Sequence, residues 1–187
     1  MIIIGITGTL GAGKGAVVDY LVNEKGFVHY SVRAFITEEI KKQSMPVNRD
    51  SMVLVANKLR TEHSPSYIIE KLYEQALFKE ENCIIESIRT QGEVEALKNK
   101  GNFYLFAVDA NVNLRYERII NRNSETDKVS FETFIENENR EMQSTDNNKQ
   151  NISKCIEMAD YIFTNNGTIS ELKVQVDKAL VFILKNY

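Results

Sequence analysis

The sequence predicts an α/β fold in which a parallel sheet of five strands is flanked by helices. Three observations predict it. Four apolar runs are continuous instead of alternating, which is how strands read when both faces of a sheet are buried. Helical patterns fall between those runs, and strand–helix alternation of this kind builds doubly wound sheets. The first run also empties into a glycine-rich turn, Gly8-Thr9-Leu10-Gly11-Ala12-Gly13-Lys14-Gly15, that is followed at once by a helical pattern.

In chain order, residues 2–7 form the first strand, and residues 16–24 form a helix with Val17, Val18 and Leu21 on one face. Residues 27–30, interrupted by His29, are a fifth strand candidate with a weaker signal than the four apolar runs. Residues 31–80 insert several helices before the next strand. Within them Ser64-Pro65 predicts a helix start, because proline at the first helical position gives up no needed donor. That helix is expected to bury Ile68, Ile69, Leu72, Ala76 and Leu77. Residues 83–86, 103–109 and 161–164 are the remaining strands. Thr168 and Glu171 make a capping box that opens the last helix, with Ile169, Leu172, Val176, Leu180 and Ile183 at helical spacing. Residues 121–151 are polar, with Phe131, Phe134 and Ile135 as apolar anchors, and read as a flap on the core.

At 187 residues the chain fits one domain spanning 1–187, long enough to bury a sizeable core. A net charge of −3 gives no general attraction to nucleic acid or an anionic membrane, so any phosphate site has to come from local cations. The amino terminus lacks the basic region of a signal peptide, and no run approaches the roughly 18 apolar residues of a membrane span, so the chain reads as cytoplasmic. Cys83 and Cys155 have no histidine at ligand spacing and read as buried apolar thiols. His29 and His63 stand alone and read as surface or packing residues.

The turn matches G-x-x-x-x-G-K between a strand and a helix, the context that this motif requires, and predicts a P-loop NTPase fold. Glycines let the backbone wrap so that successive N–H groups face phosphate oxygens, and the helix amino terminus adds unpaired donors and positive dipole. Gly8, Thr9, Leu10, Gly11, Ala12, Gly13, Lys14, Gly15 and Ala16 are therefore expected to hold a nucleoside triphosphate, with Lys14 on its terminal phosphates. The Ser or Thr that ordinarily follows the lysine and reaches Mg²⁺ is missing, since Gly15 and Ala16 stand there. Binding through the backbone and Lys14 survives that change; metal geometry is what it touches. Asn57-Lys58-Leu59-Arg60 is no N-K-x-D guanine reader, which argues against a GTPase.

Gly5-Ile6-Thr7-Gly8 with the loop, and the distal stretch from Met158 to Gly167, resemble dephospho-coenzyme A kinase and the nucleoside monophosphate kinases. Asn48-Arg49-Asp50, Val55-Ala56-Asn57-Lys58-Leu59-Arg60 and Ile84-Ile85-Glu86-Ser87-Ile88-Arg89 resemble archaeal kinase-like proteins and the kinase-like segment of fungal deoxycytidylate deaminases. No H-x-E or C-x-x-C zinc motif accompanies the latter, so deaminase chemistry is not implied. The resemblance implies a phosphotransferase that uses ATP and Mg²⁺ on a small nucleotide-like acceptor, a nucleoside monophosphate or a dephospho-coenzyme A-like molecule. It implies that Asn165, Asn166 and Gly167 lie beside the adenine and that Glu86 faces the phosphate loop, holding metal or taking a proton. Asp109 is a rival for the metal; either carboxylate could instead cap the next helix.

The same resemblance makes residues 31–80 the acceptor-binding insert and residues 121–151 the lid. Arg33, Arg49, Arg60 and Arg89 are then candidates for the acceptor's phosphate, which guanidinium forks bind bidentately, with Arg89 first and Arg33 second. Arg115, Arg118 and Arg122 share one helical face leading into the flap. Arg118 and Arg122 are assigned to the transferring phosphoryl group, while Arg115 reads as solvated and paired with Glu117 and Glu125. Two rival readings remain: a nucleotide-binding regulator without transfer, and a simple ATPase.

Overall fold

The computed structural model describes residues 1–122, 129–144, 146 and 149–186, the side chains of Arg49 and Asn186 excepted. Glu125, and part of the predicted lid, lie outside the described residues. In order, the elements are β1 (Ile3–Gly8), α1 (Lys14–Lys25), β2 (Val28–Tyr30), α2 (Val32–Lys42), α3 (Arg49–Glu62), α4 (Tyr67–Lys79) and β3 (Cys83–Ile85). There follow α5 (Gln91–Lys98), β4 (Phe103–Asp109), α6 (Val112–Arg122), α7 (Phe131–Met142), α8 (Ile152–Glu157), β5 (Tyr161–Thr164) and α9 (Ile169–Asn186).

The strands form one five-stranded sheet in the order β2-β3-β1-β4-β5, and every pair is parallel, as the continuous apolar runs predict. β1 is central. Its side chains alternate between two cores, which is why it is buried throughout and apolar save for Thr7, whose hydroxyl donates to Ile88 O. Ile2, Ile4 and Ile6 pack with Val17, Leu21, Leu172 and Val176 of α1 and α9. Ile3 packs with Ile68, Leu72, Val94 and Leu105 on the other face. Each such buried Ile contributes roughly 1.5–3 kcal/mol. The chain leaves β1 toward β2 on one side, and β4 lies on the other. The turn after β1 therefore sits at the switch point where crevices open in sheets of this kind.

Local signals meet their outcomes unevenly. The capping box of α9 forms: Thr168 N donates to Glu171 Oε2 at 2.7 Å and Glu171 N to Thr168 Oγ1 at 3.2 Å. Leu172, Val176, Leu180 and Ile183 are buried, but Ile169, in the first turn, is half exposed. The start of α4 falls two residues later than Pro65 predicts, with Ser66 as the N-cap. Residues 64–67 close instead as a turn, Tyr67 N donating to Ser64 O at 3.1 Å, while His63 stacks on the Tyr67 ring. Leu77 is exposed, not buried, because it projects well away from the Ile68–Leu72–Ala76 stripe. Cys83 and Cys155 are buried free thiols, each pushed up to about 12 by that burial.

Helices α2, α3 and α4 make up the insert and cover one edge of the second core. In the flap, α7 docks on α6 through an aromatic cluster, with Phe134 buried and ring centroids of Tyr116 and Phe131 5.2 Å apart. Among the described residues no helix is long and apolar enough to cross a membrane.

Candidate functional site

The turn between β1 and α1 is shaped by glycine where no side chain fits. Gly8 has φ 126°, and a Cβ there would lie 2.0 Å from Val108 O of the adjacent strand; Gly13 has φ 103°, and its Cβ would lie 2.3 Å from Asn165 Nδ2. Contacts from distant elements hold the loop. Asn165 Nδ2 donates to Ala12 O at 2.8 Å, Thr9 Oγ1 donates to Asp109 Oδ1 at 2.6 Å, and Arg115 Nη1 donates to Leu10 O at 3.3 Å. Lys14 Nζ folds back to donate to Gly8 O at 2.7 Å and Thr9 O at 2.6 Å. Burial, and then the neighbouring Arg89 charge, push this ammonium down to about 7, against the pull of Glu141 and Glu86.

Helix α7 closes over the loop with two carboxylates one turn apart. Glu138 lies 2.8 Å from Arg115 Nη1, and Glu141 lies 2.9 Å from Arg89 Nη1. Between them, Gly8 and Lys14 the void is about 20 Å³, room for about one water.

Beside the loop lies a cavity of about 290 Å³. Arg33 of α2, Arg60 of α3, Arg89 after β3 and Arg122 at the end of α6 line it, with apolar surface from Val32, Ile36 and Met52. Arg89 borders both the cavity and the void over the loop. Four arginines singled out in the sequence are thus brought together from four separate segments. Arg60 among them is 3% exposed and paired with the fully buried Glu93. Arg49 opens α3, and its side chain lies outside the described residues.

Glu86 follows β3 and is partly buried. Its Oε1 accepts from Ser31 Oγ at 2.9 Å and lies 3.5 Å from His29 Nε2. The His29 hydrogen bond, more than any other influence, holds this carboxyl below the usual carboxylate range. His29 is therefore no lone packing residue, because β2 and β3 pair in parallel and bring it alongside Glu86.

Three other side chains serve the loop itself. Arg115 is a correction to the sequence reading: it is 6% exposed instead of solvated, clasped to Ala110 O, Leu10 O and Glu138, with Phe134 beneath it. Asp109 bonds Thr9 and the Ala110 amide through Oδ1, bracing the loop from outside. Arg118 and Arg122 part company. Arg118 Nη2 donates to Asn165 O at 2.9 Å, toward the β5–α9 turn, while Arg122 lines the cavity. Among the described residues Arg118 Nη1 and Asn165 Oδ1 are buried without partners. Asn166 accepts from Asn111 N, and Gly167 lies against Glu171.

The residue types suit the phosphates of a nucleoside triphosphate: glycines let the loop pack closely against Val108 and Asn165, and Lys14 and Arg89 border the space above it. Mg²⁺ finds less. Among the described residues no group of three or more His, Cys, Asp or Glu could hold a metal, and Gly15 offers no hydroxyl. The sequence reading missed Glu93, Glu138 and Glu141. Thr90-x-x-Glu93 is a legible capping-box pattern, but the two α7 carboxylates carry no local signal of their distant partners.

Residues 4–146 match the family model described as AAA domain. The chain is 30% identical over 189 residues to a UPF0200 protein of Methanococcus vannielii, covering 100% of this chain and 98% of that one. It is also 30% identical over 182 residues to a UPF0200 protein of Sulfurisphaera tokodaii, covering 97% of each. Among solved structures, a gluconokinase from Sinorhizobium meliloti is similar with a TM-score of 0.61 at 12% identity, over 99% of this chain and 94% of that one. A dephospho-CoA kinase from Campylobacter jejuni is similar with a TM-score of 0.53 at 15% identity, over 97% of this chain and 96% of that one. At such identities these structures establish a P-loop kinase-like fold alone. By the family model and its sequence relatives, the chain belongs to the AAA domain family and is a UPF0200 protein with a P-loop kinase-like fold.

Proposed function

We propose that the chain is an ATP-dependent phosphotransferase acting on a small nucleotide-like acceptor, a nucleoside monophosphate or a dephospho-coenzyme A-like molecule. One observation carries the reading: Arg89 borders both the phosphate loop and a separate cavity lined by three further arginines. A hydrolase that gives phosphate to water needs no second cationic compartment. A transferase needs one, with a cation at the boundary where the phosphoryl group passes.

In this reading Lys14 and the loop amides hold the β- and γ-phosphates, while Asn165, Asn166 and Gly167 border the base. Arg33, Arg60 and Arg89, with Arg49, orient the acceptor's phosphate, and Arg122 faces the transferring group from the lid of residues 121–151. Arg118 acts on the loop through Asn165. Glu86 takes the acceptor's proton and would be the carboxylate to help hold Mg²⁺; its contacts with Ser31 and His29 keep it ionised and aimed. Asp109, bound to Thr9, braces the loop. Mg²⁺, when bound, would supply neutralisation of the phosphate charge. Positioning and electrostatics supply the catalysis, without a covalent step on the protein. The acceptor is a small molecule in the cytoplasm, and neither nucleic acid nor a membrane is a partner, in keeping with the net charge of −3.

ADP formation from ATP, with and without a panel of nucleoside monophosphates and dephospho-coenzyme A, tests the proposal. Acceptor-dependent ADP with a phosphorylated acceptor is the expected result. ADP without any acceptor would make the protein an ATPase, and binding without turnover would make it a regulator.

A further inference from the structure

Glu93 in α5 is 0% exposed, and both of its oxygens are engaged. Oε1 accepts from Nε and Nη2 of Arg60, at 3.2 and 2.9 Å. Oε2 accepts from the backbone amides of Arg89 and Thr90, at 2.8 and 3.1 Å. Thr90 Oγ1 in turn accepts from Glu93 N at 3.2 Å, which completes a capping box.

A capping box needs only the Oε2 half of this arrangement. The Oε1 half buries a carboxylate and a guanidinium together, and exchanging such a pair for well-packed apolar side chains is often neutral or stabilising. Starting α5 does not call for it. What the pair does is join α3 and α5 to the turn after β3, behind the cavity wall. Arg60 and Arg89 line that cavity, and Glu93 lies behind them.

The consequence is geometric. Glu93 engages one edge of the Arg60 fork and leaves Nη1 outside the pair. The Arg89 backbone is held on both sides, its N–H by Glu93 and its carbonyl by Asn151 N at 2.8 Å. Arg89 can therefore reorient through its side-chain torsions while its Cα stays in register with Arg60.

We infer that Glu93 is a positioning residue, which holds Arg60 and Arg89 at a fixed separation so that both guanidinium groups meet one acceptor phosphate. The inference rests on the acceptor cavity proposed above. Glu93→Gln leaves both arginines in place but turns one acceptor oxygen into a donor. The new amide then opposes either the Arg89 and Thr90 N–H groups or the Arg60 guanidinium.

The test follows the arginine side-chain signals of the full chain by ¹⁵N NMR during titration with inorganic phosphate. Wild type, Glu93→Gln and Glu93→Asp are compared. Glu93→Asp keeps a paired buried charge on a shorter arm and guards against a misfolded Glu93→Gln variant. Phosphate affinity read at Arg89 is expected to weaken by about tenfold or more in both variants, while ATP affinity stays at the wild-type level. With an acceptor that turns over, its KM should rise while the KM for ATP holds. A folded variant whose Arg89 signal titrates like wild type overturns the positioning role and leaves the cavity assignment standing. Wild-type arginine signals that ignore phosphate overturn the cavity assignment, and the positioning role with it.

Discussion

Glu141 Oε2 lies 2.9 Å from Arg89 Nη1, so a carboxylate of α7 holds the cation that borders both the phosphate loop and the cavity. One turn away, Glu138 does the same to Arg115. Carboxylate and phosphate compete for the same donors here. In the proposed function a triphosphate reaches the loop only by displacing α7, and part of its binding free energy goes into that opening.

Neutralising the competitors should therefore strengthen binding. Glu138→Gln/Glu141→Gln is expected to bind ATP about tenfold more tightly than wild type, equivalent to ~1.4 kcal/mol. Isothermal titration calorimetry measures it. Equal or weaker affinity in the double variant would rule out competition.

Lys14→Ala should abolish transfer and weaken triphosphate binding while circular dichroism stays that of the wild type. The ammonium bonds two loop carbonyls instead of packing in either core. Losing such a preorganised donor costs on the order of 3 kcal/mol in the transition state. A variant with wild-type turnover would falsify the assignment of the phosphate loop.

Lys14 also gives binding a pH signature. Its folded-state value near 7 lies below the ordinary 10.5, so between those values the folded chain holds fewer protons than the unfolded one. The contribution of this residue to stability therefore rises with pH across that window. Phosphate oxygens favour the charged ammonium, so binding ATP near pH 8 should take up a proton. Calorimetry in two buffers of different ionisation enthalpy reads this directly. Zero uptake near pH 8 would mean that Lys14 is already fully charged.

The arginines should separate by kinetics. Arg89→Ala is expected to raise the acceptor KM and spare ATP affinity, with Arg89→Lys failing to rescue because a point charge cannot replace a fork. Arg122→Ala should lower kcat more than it raises either KM, since the lid meets the moving group chiefly in the transition state. Arg118→Ala should weaken ATP instead, through Asn165 and its hold on Ala12. If all three variants only weaken ATP binding, a nucleotide-binding regulator becomes the better account.

Gly15 tests the missing hydroxyl. A Cβ built there meets nothing within 4 Å, and its φ is not in the left-handed region, so Gly15→Ser is accommodated without strain. Serine in place of glycine within α1 should also raise helix stability by a few tenths of a kcal/mol, about the difference in propensity. The variant's ATP affinity should depend more steeply on Mg²⁺ than that of wild type. An unchanged dependence would show that the hydroxyl's absence is immaterial.

What the sequence determined by itself is what nearest neighbours along the chain decide. Continuous apolar runs locate β1, β3, β4 and β5, because a strand covered by helices favours apolar residues along its length, whereas β2, Val28-His29-Tyr30, carries a weaker signal. Glycine spacing locates the loop, and Thr168 with Glu171 locates the start of α9, since a turn and a cap are closed within a few residues. The tertiary structure decided the partner of each charge. Arg60 and Glu93 are 33 residues apart, Arg115 and Leu10 are 105, and Asn165 and Ala12 are 153. Those distances are spanned by the β2-β3-β1-β4-β5 order, which folds remote turns onto one end of the sheet. The helical face shared by Arg115, Arg118 and Arg122 is legible as spacing. Their division into a loop clasp, a brace on Asn165 and a cavity cation is not, because each long side chain goes where a distant carbonyl, carboxylate or void draws it.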